Sequence, residues 1–184
     1  MNITVKKTMI LFLFLFYILS NLLFYRTGYK DYPNFVLLFI TSILFISEVS
    51  FWSVLFKSIG DKRLSERNYH IEMFFMIGLI GYSLSRIFLT SSPYINDLLN
   101  SSIVTAYIIG VIRLVFMFSS IMNIFYLIDT KNIFLVAISI FNIISSILIW
   151  LDFDTGINAG IRILTGILAI IYIISVKNKN SEEV

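Results

Sequence analysis

IFLVAISIFNIISSILIW, residues 133–150, runs for eighteen positions without a charged side chain. It is bracketed by the polar pieces DTKN (129–132) and DFDTG (152–156). A helix that crosses the hydrocarbon of a bilayer needs about 20 apolar residues, and with its flanks this run, at about 132–151, meets that length. Its polar positions Asn142, Ser145 and Ser146 recur at i, i+3 and i+4, one face of a helix.

Five further runs of the same kind lie at about 8–25, 34–56, 72–90, 103–127 and 157–176. The connectors RTGYKDYPN, KSIGDKRLSERNYH and SSPYINDLLNSS hold both prolines, Pro33 and Pro93, where a missing backbone donor is harmless. Lipid offers the backbone no hydrogen-bond partners, so each run is expected to be α-helical; the alternation of a membrane barrel is absent. Composition agrees. The 184 residues are 58% hydrophobic and 14% charged, against about 45–50% and about 25% for soluble domains. The expectation is one all-α domain over residues 1–184, a polytopic integral membrane protein of six transmembrane helices with no soluble domain.

Lys and Arg set the expected orientation. Lys6, Lys7, Lys57, Lys62, Arg63, Arg67, Lys131, Lys177 and Lys179 fall on one side, and only Arg26 and Lys30 on the other. Nine against two predicts both termini in the cytoplasm and a multi-pass protein of the cell membrane. Tyr25, Tyr29, Tyr32, Tyr94 and Trp150 are then expected at the outer interface, with Trp52, Tyr69 and Tyr126 at the inner one. The first run resembles a signal peptide in its basic start. Its apolar core is too long and lacks a small-x-small cleavage site, so a retained signal-anchor is expected.

Charges inside the apolar runs are where function is sought, because intramembrane ionisable groups are functional candidates. Arg86 shares a helical face with Gly78, Gly81, Tyr82 and Ser85; Arg113 with Ala106, Gly110, Met117 and Ser120; Arg162 with Asn158, Thr165, Gly166 and Ala169. Small residues admit close helix packing, so these faces are expected to point inward. Counting 1.5 Å per residue from the outer ends puts the three guanidinium groups roughly 6, 15 and 8 Å deep. The reading is an outward-facing polar pocket of Arg86, Arg113 and Arg162, with Asp152 and Asp154 as acidic partners. Asp154 also suits the N-cap of the last helix. Such a pocket suits a carboxylate or phosphate, whether a small anionic molecule or a lipid headgroup. Glu48, counted into the inner half and so apart from the arginines, is expected to act with Asn123 as a proton or cation site. The alternative for Glu48 is a hydrogen bond between helices.

No cysteine and one histidine leave no disulfide, thiolate or metal centre, and no cofactor is expected. No Walker loop, HExxH or GxSxG is present. The expected role is a ligand-binding, sensing or accessory membrane subunit rather than an enzyme. Alternatives are a small transporter or channel component for an anionic solute or lipid, and, last, an intramembrane lipid-modifying enzyme. The expected partners are the bilayer and a protein partner or second copy, not nucleic acid.

Overall fold

The computed structural model describes residues 3–27, 33–59, 66–91, 103–128, 130–151 and 155–181, with side chains at 8–23, 33, 35–59, 67–87, 107–128, 130–151 and 156–175. Among the described residues the chain is all-helical. The helices are α1 (Ile3–Thr27), α2 (Asn34–Ser58), α3 (Glu66–Ser91), α4 (Ile103–Ile128), α5 (Ile133–Trp150) and α6 (Thr155–Ser181). Helix α3 begins six residues before the apolar run at 72. ERNYHIE contains no helix breaker, and its Asn68, Ile71 and Glu72 are buried. The α4–α5 turn closes in four residues. Thr130 Oγ1 donates to the Leu127 carbonyl, Lys131 takes a positive φ of 54°, and Asn132 caps α5 by accepting from the Phe134 N–H.

Among the described residues, four helical stretches are long and apolar enough to cross a membrane: Phe35–Ser58, Tyr107–Ile128, Ile133–Trp150 and Gly156–Ser175. The apolar stretch of α1, Thr8–Leu23, is shorter. Helix α3 carries Glu72 and Arg86 inside its length.

Each helix packs chiefly on its neighbours in sequence, and α6 packs on α1, so the six close into a ring. Neighbouring helices run antiparallel. Tyr17 of α1 stacks on Phe51 of α2 at 4.2 Å, and Ser20 meets Ser47 at 2.7 Å. Trp52 of α2 meets Phe75 of α3, whereas Glu48 meets Ser83. Gly78 of α3 faces Ser119 of α4, and Gly81 faces Ile112. Six alternating helices leave Ile3 and Ser181 at the same end of the ring.

The interior at that end is aromatic. Phe14, Phe51, Trp52, Phe56, Phe75, Phe116 and Tyr126 are all at most 2% exposed. They pack edge-on, stacked or tilted, with Trp52 and Phe56 both edge-on to Phe75. Trp52 and Tyr126 are therefore core residues, not interfacial anchors: their rings fill the space between α2, α3 and α4. Tyr69 and Trp150 do lie exposed. The outer wall displays Phe12, Leu19, Ile46, Ile77, Phe118, Ile140 and Ile174, more exposed large apolar side chains than a soluble monomer shows.

Small residues set the tightest contacts. A Cβ on Gly78 would lie 2.5 Å from Ser119 Oγ and 3.3 Å from the Phe116 Cα, so α3 and α4 touch at backbone distance there. A Cβ on Gly166 would meet Ile18 of α1 at 2.5 Å, where α6 closes the ring. Gly110 and Gly160 have open space around them. Helix α1 contributes to the core. Phe14, Tyr17, Ser20 and Asn21 form a buried stripe, and the Ser20 and Asn21 side chains donate to the Tyr17 carbonyl.

Candidate functional site

Glu48 sits on the inner face of α2, one turn from Trp52, and is 2% exposed. A carboxylate stripped of water needs donors, and three side chains from two other helices supply them. Ser83 Oγ of α3 donates to Oε2 at 2.9 Å. Arg162 Nη1 of α6 pairs directly with Oε1, and Arg86 Nη1 of α3 lies 3.6 Å from the same oxygen. Arg162 is buried, and the Arg86 side chain is 13% exposed. One carboxylate therefore faces two guanidinium groups across the ring.

The arginines are fixed from their other sides. Arg162 Nε donates to Ser145 Oγ of α5 at 3.3 Å, and Ser145 in turn donates to Asn158 Oδ1. Both guanidinium carbons lie over the Tyr82 ring, Arg86 at 5.6 Å and Arg162 at 5.9 Å, within cation–π range. Tyr82 is itself stacked on Phe116 of α4 at 4.9 Å.

Beside the cluster lies a small cavity lined by Tyr17, Glu48, Trp52, Leu79, Phe116, Asn142, Ser145, Arg162 and Thr165. Every helix contributes to it. It leaves about 10 Å³ for the centre of a water-sized molecule, enough for one water. Asn142, 7% exposed, lines it, and its Nδ2 has no hydrogen-bond partner.

The sequence-predicted site residues divide here. Arg86 and Arg162 come together, with Ser145 and Thr165 of the expected inward faces beside them. Glu48 joins the arginines instead of lying apart from them. Counting residues from helix ends misplaced it, because the ends are not level. Glu48 is about 21 Å from the start of α2, Arg162 about 10 Å from the start of α6, and Arg86 about 8 Å from the end of α3, and an arginine side chain spans more than a turn. Arg113 is half-buried on α4 and does not line the cavity. Asn123 is also outside it, about 10 Å along α4 from Phe116. It is fully buried, and neither amide atom has a hydrogen-bond partner. Asp152 and Asp154, and with Asp154 the expected cap of α6, lie outside the described residues.

Ser83 and Tyr17 were not singled out beforehand. Ser83 stands three residues before Arg86, on the same helical face. Tyr17 is a hydroxyl-bearing ring in an apolar run, and its packing against α2 and α6 gives it a place. Among the described residues no group of three or more His, Asp or Glu residues could hold a metal ion. No protein-family model, curated protein or solved structure matches this chain.

Proposed function

We propose that the chain is a six-span protein of the cell membrane, with both termini cytoplasmic, that binds a small anionic group on Arg86 and Arg162. In this reading it serves as a ligand-binding, sensing or accessory subunit beside a partner. The observation that carries the reading is a buried amide donor beside two converging guanidinium groups: Asn142 lines the cavity with Arg162, its Nδ2 has no hydrogen-bond partner, and Arg86 shares the Glu48 carboxylate with Arg162. A buried donor left unsatisfied is expensive, and an anion accepting from it removes that expense. Guanidinium forks, the Asn142 amide and the Tyr17 hydroxyl offer such an anion donors. The aromatic layer of Trp52, Phe56, Phe75 and Tyr126 closes the ring toward the termini, which favours a dead-end site over an open channel. A transporter reading draws support from one feature, the contribution of all six helices to the cavity wall.

Trp52 lines the cavity and reports on it. In a Trp150→Phe background, in lipid nanodiscs, chloride, acetate or phosphate should change Trp52 fluorescence saturably, and Arg162→Gln should remove the response. A wild-type signal unmoved by all three anions would refute the proposal. Vesicle flux of the responding anion separates a transporter from a receptor.

A further inference from the structure

We infer that Asn158, which does not line the cavity, is a positioning residue for the anion site: through the Ser145 hydroxyl it fixes the plane of the Arg162 guanidinium, and so sets how tightly the anion is held. The inference rests on the anion-binding reading above and names the residue that tunes its central donor.

The serine hydroxyls give the first sign. Ser42, Ser119, Ser120, Ser139 and Ser146 each turn theirs back on a carbonyl three or four residues earlier in the same helix, the local bond that a helical serine readily makes. Ser145 does otherwise. It is buried on α5, and its hydroxyl donates across the seam to Asn158 Oδ1 of α6. The same oxygen accepts from Arg162 Nε at 3.3 Å. Asn158 and Arg162 stand one turn apart on α6. A single oxygen from α5 is therefore gripped by two side chains of α6.

Donor and acceptor chemistry fixes the direction of this chain. A guanidinium has N–H groups and no acceptor, whereas a hydroxyl has one hydrogen and two lone pairs. Ser145 turns a lone pair toward Arg162 while its hydrogen is engaged by Asn158. With the Asn158 amide gone, that hydrogen turns to a carbonyl one turn back on α5, as in Ser146, and the lone pairs turn with it.

What this does for the anion follows from shape. The guanidinium is flat and rigid, so anchoring Nε on Ser145 and Nη1 on Glu48 fixes its plane and the direction of every N–H bond. Donors aimed before the ligand arrives hold it more tightly than donors that must be aimed on binding. Arg162 lines the cavity, so its aim is the aim of the site.

Titrations with chloride, acetate and phosphate, read by Trp52 fluorescence in the Trp150→Phe background in nanodiscs, test this on Asn158→Ala, Ser145→Ala and the double variant. Each is first checked for helicity and monodispersity. The Nε bond is at the long end of its range, so either single change should weaken the responding anion by about fivefold, with the saturating signal unchanged. The double variant should lose no more than Ser145→Ala, because the two residues act in series. A measurement that needs no anion is the Arg162 Nε–H resonance in solid-state NMR, assigned by its absence from Arg162→Lys; Asn158→Ala should shift it. Single-variant affinities within twofold of wild type, losses that multiply in the double variant, or an Nε–H resonance indifferent to Asn158 would overturn the positioning role and leave the anion site standing. A wild-type protein that answers to none of the three anions would remove the underlying reading, and the positioning role with it.

Discussion

Replacing Glu48 by leucine removes an acceptor that both interior arginines share. The structure sets the magnitude. Arg162 and Arg86 would keep their burial and their common seat over Tyr82 while losing the carboxylate between them. Breaking a buried pair from one side costs about 3–5 kcal/mol, of which the stranded Ser83 hydroxyl is about 1 kcal/mol. Arg162→Leu should cost less, about 2 kcal/mol, because Glu48 keeps Arg86 and Ser83. In the double variant Arg86 alone, the more exposed arginine, loses its share of the carboxylate, so the two losses should not add. The expected coupling is about 2 kcal/mol, near the upper part of the range for residues in direct contact. Reversible unfolding in mixed micelles, followed by circular dichroism, measures all four proteins. Additive losses, or a Glu48→Leu protein within 1 kcal/mol of wild type, would refute the idea that this carboxylate holds the arginines.

Other expectations follow from the packing. Gly78→Ala should destabilise by about 1–3 kcal/mol through overpacking against the α4 backbone, whereas Gly110→Ala and Gly160→Ala, in open space, should be neutral or better; thermal unfolding of the three compares them directly. Asn123→Leu removes a buried amide with no hydrogen-bond partner and should stabilise by about 1–2 kcal/mol in the same assay. A loss instead would indicate that the amide has a bound partner. Because the natural chain has no cysteine, single Lys6→Cys and Lys179→Cys variants should both react with an impermeant maleimide only after the cytoplasmic face is opened. Lys30→Cys should react from outside.

Helix number and type were legible because runs such as 133–150 leave the backbone one way to satisfy itself in lipid. The inward turn of Arg86 and Arg162 was legible for a similar reason: hydrocarbon rejects guanidinium, and small residues share their faces. The union of Glu48 with them was not. It depends on where α2 sits along the ring axis relative to α3 and α6, and no local pattern encodes that offset. Nor was the place of α1 legible. Its Leu, Ile and Phe residues distinguish no inward face, and the Phe14–Tyr17–Asn21 stripe acquires meaning only against α2 and α6. Aromatic anchors and aromatic core look identical in sequence, hence the misplacement of Trp52 and Tyr126. Arg113 shows the limit of a small-residue stripe, since Gly110 beside it packs against nothing.

The closure of α6 onto α1 also has a consequence for biogenesis. In the proposed six-span topology, a polypeptide threaded into the bilayer from its amino end lays down five staves before the ring can be shut, and the sixth is the one that brings Arg162. Until that last segment arrives, Glu48 has Arg86 and Ser83 for company, and the flank of α1 that will hold Gly166 is open to lipid. Assembly of the wall and completion of the charged centre are thus a single late event. A ribosome-stalled or truncated product lacking residues beyond 154 should be recognisable to quality control by the same unfinished seam.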